Sequence, residues 1–176
     1  MSLFRFLGLT AGTDPSHREP ESLREIGARL SMLAPEDARF IAAFAYLLAR
    51  VAAADLRTQS GERKVIAERL ESVAGLERER AQILSEAAIA AAASHSPSDD
   101  HLVARTYREL STDEERQRLV RCLYAVAAAD SSITTPEDNE IFEIATEIGM
   151  GRTDVVALRA EFKEHLAVLK ALPRER

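Results

Sequence analysis

Val51-Ala52-Ala53-Ala54-Asp55 occurs again, letter for letter, as Val126-Ala127-Ala128-Ala129-Asp130. The copies lie 75 residues apart, and the same offset aligns Leu48 with Leu123, Glu62 with Glu137 and Ile66 with Ile141. The shared pattern is Leu-x-x-Val-Ala-Ala-Ala-Asp, six residues, then Glu, then an apolar residue four further on. One gap-free register over some twenty positions is hard to obtain by chance, so the chain reads as an internal duplication of a helix–acidic loop–helix unit.

The chain around the repeats favours helices. Its 176 residues are 46% hydrophobic and 30% charged, which suits a globular chain able to bury roughly 70% of its unfolded surface. Alanine is abundant, and no β-branched run is flanked by tight-turn residues. The expected fold is all-α, a compact bundle of seven to eight helices. With 29 acidic against 23 basic residues the net charge is −6, the wrong balance for a nucleic-acid partner. Cys122, the one cysteine, sits among apolar neighbours and reads as a small buried residue, compatible with a reducing cytoplasm. The longest apolar run, Phe40 to Ala49, is about half of what a bilayer requires, and Arg50 ends it, so no integral membrane segment is expected.

Residues 1–19 read as an apolar arm (Leu3, Phe4, Phe6, Leu7) and a linker, and 20–176 as a single helical domain with repeat halves at about 35–94 and 98–172. A first helix starts near Pro20 and presents Leu23, Ile26, Leu30 and Leu33. The second opens at Pro35-Glu36-Asp37, runs to about Ala54 and is apolar nearly all round, which places it in the middle of the bundle. Helices follow from 61 to Gly75, from 77 to 93 and from about 99 to 110. Ser111-x-x-Glu114 reads as a capping box for the helix that ends at Asp130. Thr135-Pro136-Glu137-Asp138 starts another that Gly149 stops, and a last helix runs from Thr153 through Val155, Leu158, Phe162, Leu166 and Leu169 to Pro173.

The chemistry lies in the two loops. Asp55 and Asp130 each end a helix, where the dipole makes a carboxylate cost about 0.3–1 kcal/mol. Two offsets are open. The aspartate can accept local backbone N–H groups, with Glu62 and Glu137 simply occupying first-turn positions that favour an acid. Alternatively, Asp130 with Glu137, and Asp55 with Glu62, share a divalent cation such as calcium, magnesium or manganese, since a seven-residue spacing lets the corner fold the two carboxylates together. The loops lack the ligand spacing of EF-hands.

In these residues the chain resembles the TerB tellurite-resistance family, and its layout resembles the short bacterial branch of that family. The resemblance covers roughly residues 20 to 170 and is clearest over Leu119–Gly149, where Leu123-Tyr124-Ala125-Val126-Ala127-Ala128-Ala129-Asp130 leads to Ile133, Glu137-Asp138 and Ile141. It implies a helical bundle, an acidic surface for divalent cations and a role in stress from tellurite and other toxic agents. The family's glycine after the aspartate is replaced by Leu56 in the first copy and Ser131 in the second. The aliphatic anchor two residues later survives as Ile133 but is Thr58 in the first copy, which makes Asp130 and Glu137 the stronger pair.

No other constellation competes. His17, His95, His101 and His165 are scattered, Asp99-Asp100-His101 opens a helix where acids belong, and Glu161 with His165 reads as an exposed i,i+4 pair. No phosphate loop or nucleophile elbow occurs. The expectation is therefore a non-enzymatic protein, cytoplasmic or at the inner face of the membrane, whose acidic corner takes a cation or a basic partner. The alternative is a metal-free interaction scaffold, tethered through its apolar N-terminus. A protein partner or a second copy of the chain would bind either way.

Overall fold

The computed structural model describes residues 30, 33–54, 60–94 and 97–170. The apolar arm, the linker and most of the helix expected from Pro20 lie outside the described residues, as does Asp55. Among the described residues eight α-helices can be delimited: α1 Pro35–Ala53, α2 Ser60–Ala74, α3 Arg78–Ser94, α4 Pro97–Leu110, α5 Asp113–Ala127, α6 Thr135–Glu147, α7 Arg152–Ala160 and α8 Ala167–Lys170. A single 3-10 turn, Lys163–His165, separates the last two. The all-α expectation holds, and no described helix is long and apolar enough to cross a membrane.

α1 is the axis of the bundle because it has no polar face. Every residue from Ile41 to Ala52 is buried, and the helix packs against α2, α3, α4, α5 and α6. Its alanines let neighbours approach closely, while Phe44, Tyr46, Leu47 and Leu48 fill the space between them. α5 occupies the corresponding place in the second half, packing against α1, α2 and α6. Gly75 and Gly149 end α2 and α6 at φ values of 65° and 85°. There the amides of Leu76 and Met150 bond back to the carbonyls of Leu70 and Ala145, as left-handed helix stops require.

Three local expectations shift. The capping box before α5 is Thr112 with Glu115 rather than Ser111 with Glu114: Glu115 N–H donates to Thr112 Oγ1 at 3.3 Å and Thr112 N–H to Glu115 Oε2 at 2.8 Å. Ser111 is buried and its hydroxyl accepts from Arg116 Nε, so it is not available as the cap. Before α6 the cap is Thr134, one residue ahead of Thr135, because only Thr134 stands three residues from Glu137. The last expected helix breaks after Ala160. Leu166 turns extended and pairs with Ile133 in an isolated parallel bridge, with Ile133 N–H donating to His165 O at 2.7 Å and Ala167 N–H to Ile133 O at 2.9 Å. Those two bonds and the burial of Leu166 outweigh helix continuation. Glu161 accordingly pairs with Arg121 at 3.2 Å, not with His165. Cys122 is buried, and burial pushes its thiol pKa up, as expected of a packing residue.

Candidate functional site

The second corner is built from the end of α5 upward. The helix closes through Ala128 N–H to Tyr124 O, after which Ser131 takes φ 72°. This is the left-handed turn for which glycine is the residue without steric cost, here occupied by serine. Asp130 is exposed, and its Oδ1 accepts from Ser132 N–H at 3.2 Å, which folds the loop over its own carboxylate. Ile133 then plugs into the core at 1% exposure and fixes the loop from beneath. We expect Ser131→Gly to stabilise the protein by about 0.5–1 kcal/mol in urea unfolding, relief of the left-handed strain exceeding glycine's entropy cost. An unchanged or lowered midpoint would show that the serine side chain repays its strain.

Glu137 lies at the other end of the same loop, 3% exposed. Its Oε2 accepts from Thr134 N–H at 2.6 Å and from Thr134 Oγ1 at 2.7 Å, while its own N–H donates to Thr134 Oγ1 at 3.4 Å. This is a full capping box at the positive end of α6. Glu62, its counterpart, is equally buried in the first turn of α2. The start of α2 adjoins this corner: a Cβ added to Gly61 would stand 3.5 Å from Ala129 O and 3.7 Å from Ala129 Cβ. The structure thus sets the Glu62 turn beside the residue preceding Asp130. A positive charge already visits this loop, since Lys170 Nζ from α8 donates to Ser131 O. Among the described residues no group of three or more His, Cys, Asp and Glu side chains is placed to hold a metal ion.

Among the described residues a dense charge cluster forms that sequence reasoning missed. Arg50, near the end of α1, is 7% exposed and gathers carboxylates from two other helices. Its Nε donates to Glu140 Oε1 at 2.8 Å and its Nη1 to Glu147 Oε2 at 2.8 Å, with Nη2 2.7 Å from Glu140 Oε1. Asp100 Oδ1 lies 3.9 Å from Nε and accepts from Tyr46 O–H at 2.5 Å. His101 Nδ1 sits 3.3 Å from Glu147 Oε1 at the surface. Burial alone would lower the Arg50 pKa, but Glu140, Glu147 and Asp100 outweigh it and hold it above its ordinary value. Burial also raises the Glu140 pKa, and Arg50 draws it back only in part. The signal was present in the sequence: a charged residue on a helix without a polar face needs partners, and Glu140 and Glu147 stand two turns apart on one face of α6. Asp100 belongs to the Asp99-Asp100-His101 stretch, but its role is to meet Arg50 and Tyr46.

A second ion pair ties α6 to α7. Arg159 Nε and Nη2 reach both oxygens of Asp138, the shortest contact being 2.7 Å, and Tyr124 O–H donates to Asp138 Oδ1 at 3.2 Å. Burial first, and then the Asp138 charge, push the Tyr124 pKa up. Its ring stacks on Phe162 at 5.4 Å between centroids. The acids of α6 thus divide: Glu140, Glu147 and Asp138 are paired with arginines, Glu137 is occupied by its cap, and Glu143 is exposed. Asp130 stands exposed on the loop itself.

No curated protein and no solved structure matches the chain. Residues 41–160 match the family described as Tellurite resistance protein TerB, a span that holds α2 to α7 complete, α1 from Ile41 onward, both copies of the repeated pentapeptide and the Arg50 cluster. With most of its length matched, the chain belongs to the TerB family.

Proposed function

We propose that this protein is a non-enzymatic, cytoplasmic stress-response member of its family that works through its second acidic corner, which binds a divalent cation such as calcium, magnesium or manganese. One observation carries the reading: the Lys170 ammonium rests on the Ser131 carbonyl beside the exposed Asp130, so the corner presents oxygen to positive charge. Hard cations take six or more oxygens from carboxylates, carbonyls and water. Asp130 and the loop carbonyls supply the first of these and water the rest. Glu137 holds the loop in shape through Thr134 and adds negative potential. Glu62, in the first turn of α2 beside Ala129, adds negative potential from the first copy of the repeat. With so few charged ligands the affinity falls in the range of about 10⁻⁴–10⁻³ M.

Lys170 then competes with the metal. Calorimetric titration with calcium and manganese should detect binding in the wild type, loss of it in Asp130→Asn and weakening in Glu137→Gln. Lys170→Ala should tighten it about two- to fivefold, the worth of an exposed charge interaction. Absence of heat in the wild type at millimolar metal would reject the proposal, as would Lys170→Ala binding no better than wild type.

A further inference from the structure

We propose that residues 163–170 form a strap that gates the second corner, the Asp130–Ile133 loop holding either the strap or a cation. The inference rests on the cation reading above and gives it a moving part. Up to Phe162 the chain is fastened to α5, by the Glu161–Arg121 ion pair and by the stacking of Phe162 on Tyr124. From Lys163 onward the grip passes to the corner loop. Leu166, 2% exposed, pairs with Ile133, which donates its N–H to His165 O and accepts at its own carbonyl from Ala167 N–H. Lys170 closes the strap by donating from Nζ to Ser131 O. Between Leu166 and Lys170, Val168 and Leu169 stand 54% and 43% exposed, so little apolar burial adds to these contacts.

Each of those contacts falls on Ser131 or Ile133, in the loop that also carries Asp130. A cation that takes the Ser131 carbonyl meets the Lys170 ammonium on the same oxygen, where like charges repel. That carbonyl also stands two residues before Ile133, so turning it toward a metal turns the backbone that forms the bridge. Cation and strap therefore oppose each other, and by linkage each weakens the other's hold by one and the same factor. Opening is local, because Leu166 is the single buried side chain between residues 163 and 170. It bares Leu166 beside Val168 and Leu169, an apolar stretch between Lys163 and Lys170.

Amide hydrogen exchange and calorimetry on the full chain test this together. Without metal, Lys170→Ala should speed exchange of the Ile133 and Ala167 amides about two- to fivefold, the worth of one exposed charge contact, and leave the α1 core from Ala45 to Leu48 unchanged. Saturating calcium should speed the same two amides in the wild type by a similar factor and add nothing in the variant. Leu166→Ala, which removes no charge, should tighten calcium at least about twofold, because a loosened strap yields the loop more readily. Calcium heat with those amides unchanged or slowed, or Leu166→Ala binding no tighter than wild type, overturns the strap and leaves the cation site standing. Should Leu166→Ala fail to fold, the exchange rates alone decide. No calcium heat in the wild type rejects the cation site itself, and the gate with it.

Discussion

Replacing Arg50 by methionine should cost about 2–4 kcal/mol of stability at neutral pH, somewhat below the penalty for a fully buried pair because the three carboxylates left without their counter-charge are only half-buried. Asp100, Glu140 and Glu147 converge on that guanidinium from α4 and α6, so the variant loosens three helices together. The defect should also depend on pH. Glu140 binds its proton more tightly folded than unfolded, so its contribution to stability falls as pH rises through the window just above its ordinary pKa of 4.5. Without Arg50 the pull that lowers this pKa is gone, while burial, Glu143 and Asp100 still raise it. The window then moves toward neutrality, and acidification neutralises the orphaned charge. Urea unfolding should therefore show the defect shrinking between about pH 7.5 and pH 5. A loss under 1 kcal/mol, or one unchanged over that range, would mean that the cluster is solvated and carries little.

Phe44→Ala should destabilise the protein by about 3–5 kcal/mol, as expected for a truncated ring in a site that cannot collapse. Phe44 is 1% exposed on α1, its ring centroid 6.4 Å from that of Tyr107 on α4. Because α1 touches five helices, the cavity opens at the centre rather than under an edge. Val156, 49% exposed on α7, is the control, and its replacement by alanine should stay within about 0.5 kcal/mol. Thermal or denaturant midpoints measure both. Similar small losses in the two variants would contradict the central place of α1.

What was legible in the sequence was what local chemistry determines. The unbroken apolar character of Phe40–Ala49 marked the axial helix, the neighbours of Cys122 marked its burial, and Gly75 and Gly149 marked two helix ends. What was not legible depends on distant partners. Arg50 meets Glu140 and Glu147 from 90 and 97 residues away, a pairing that no local pattern encodes. The break after Ala160 has the same origin: residues 153–170 have helical periodicity, but the corner residue Ile133 claims the backbone around Leu166. At the corner itself Asp130 and Glu137 flank one loop, each turned to its own local partner, Ser132 N–H for Asp130 and Thr134 for Glu137. Their roles then parted, because Thr134 stands where it can close a capping box and Asp130 remains exposed at the loop surface.

Manganese-induced paramagnetic broadening of backbone amides tests the central claim most directly, because it locates a bound cation rather than merely detecting one. Substoichiometric manganese should broaden the amides of Ala129 to Ile133 first, and Asp130→Asn should abolish that broadening. Those of α6 around Glu140 and Glu147 should stay sharp, their carboxylates being held by Arg50. Broadening that begins at the Arg50 cluster, or spreads evenly over the acidic surface, would contradict the account.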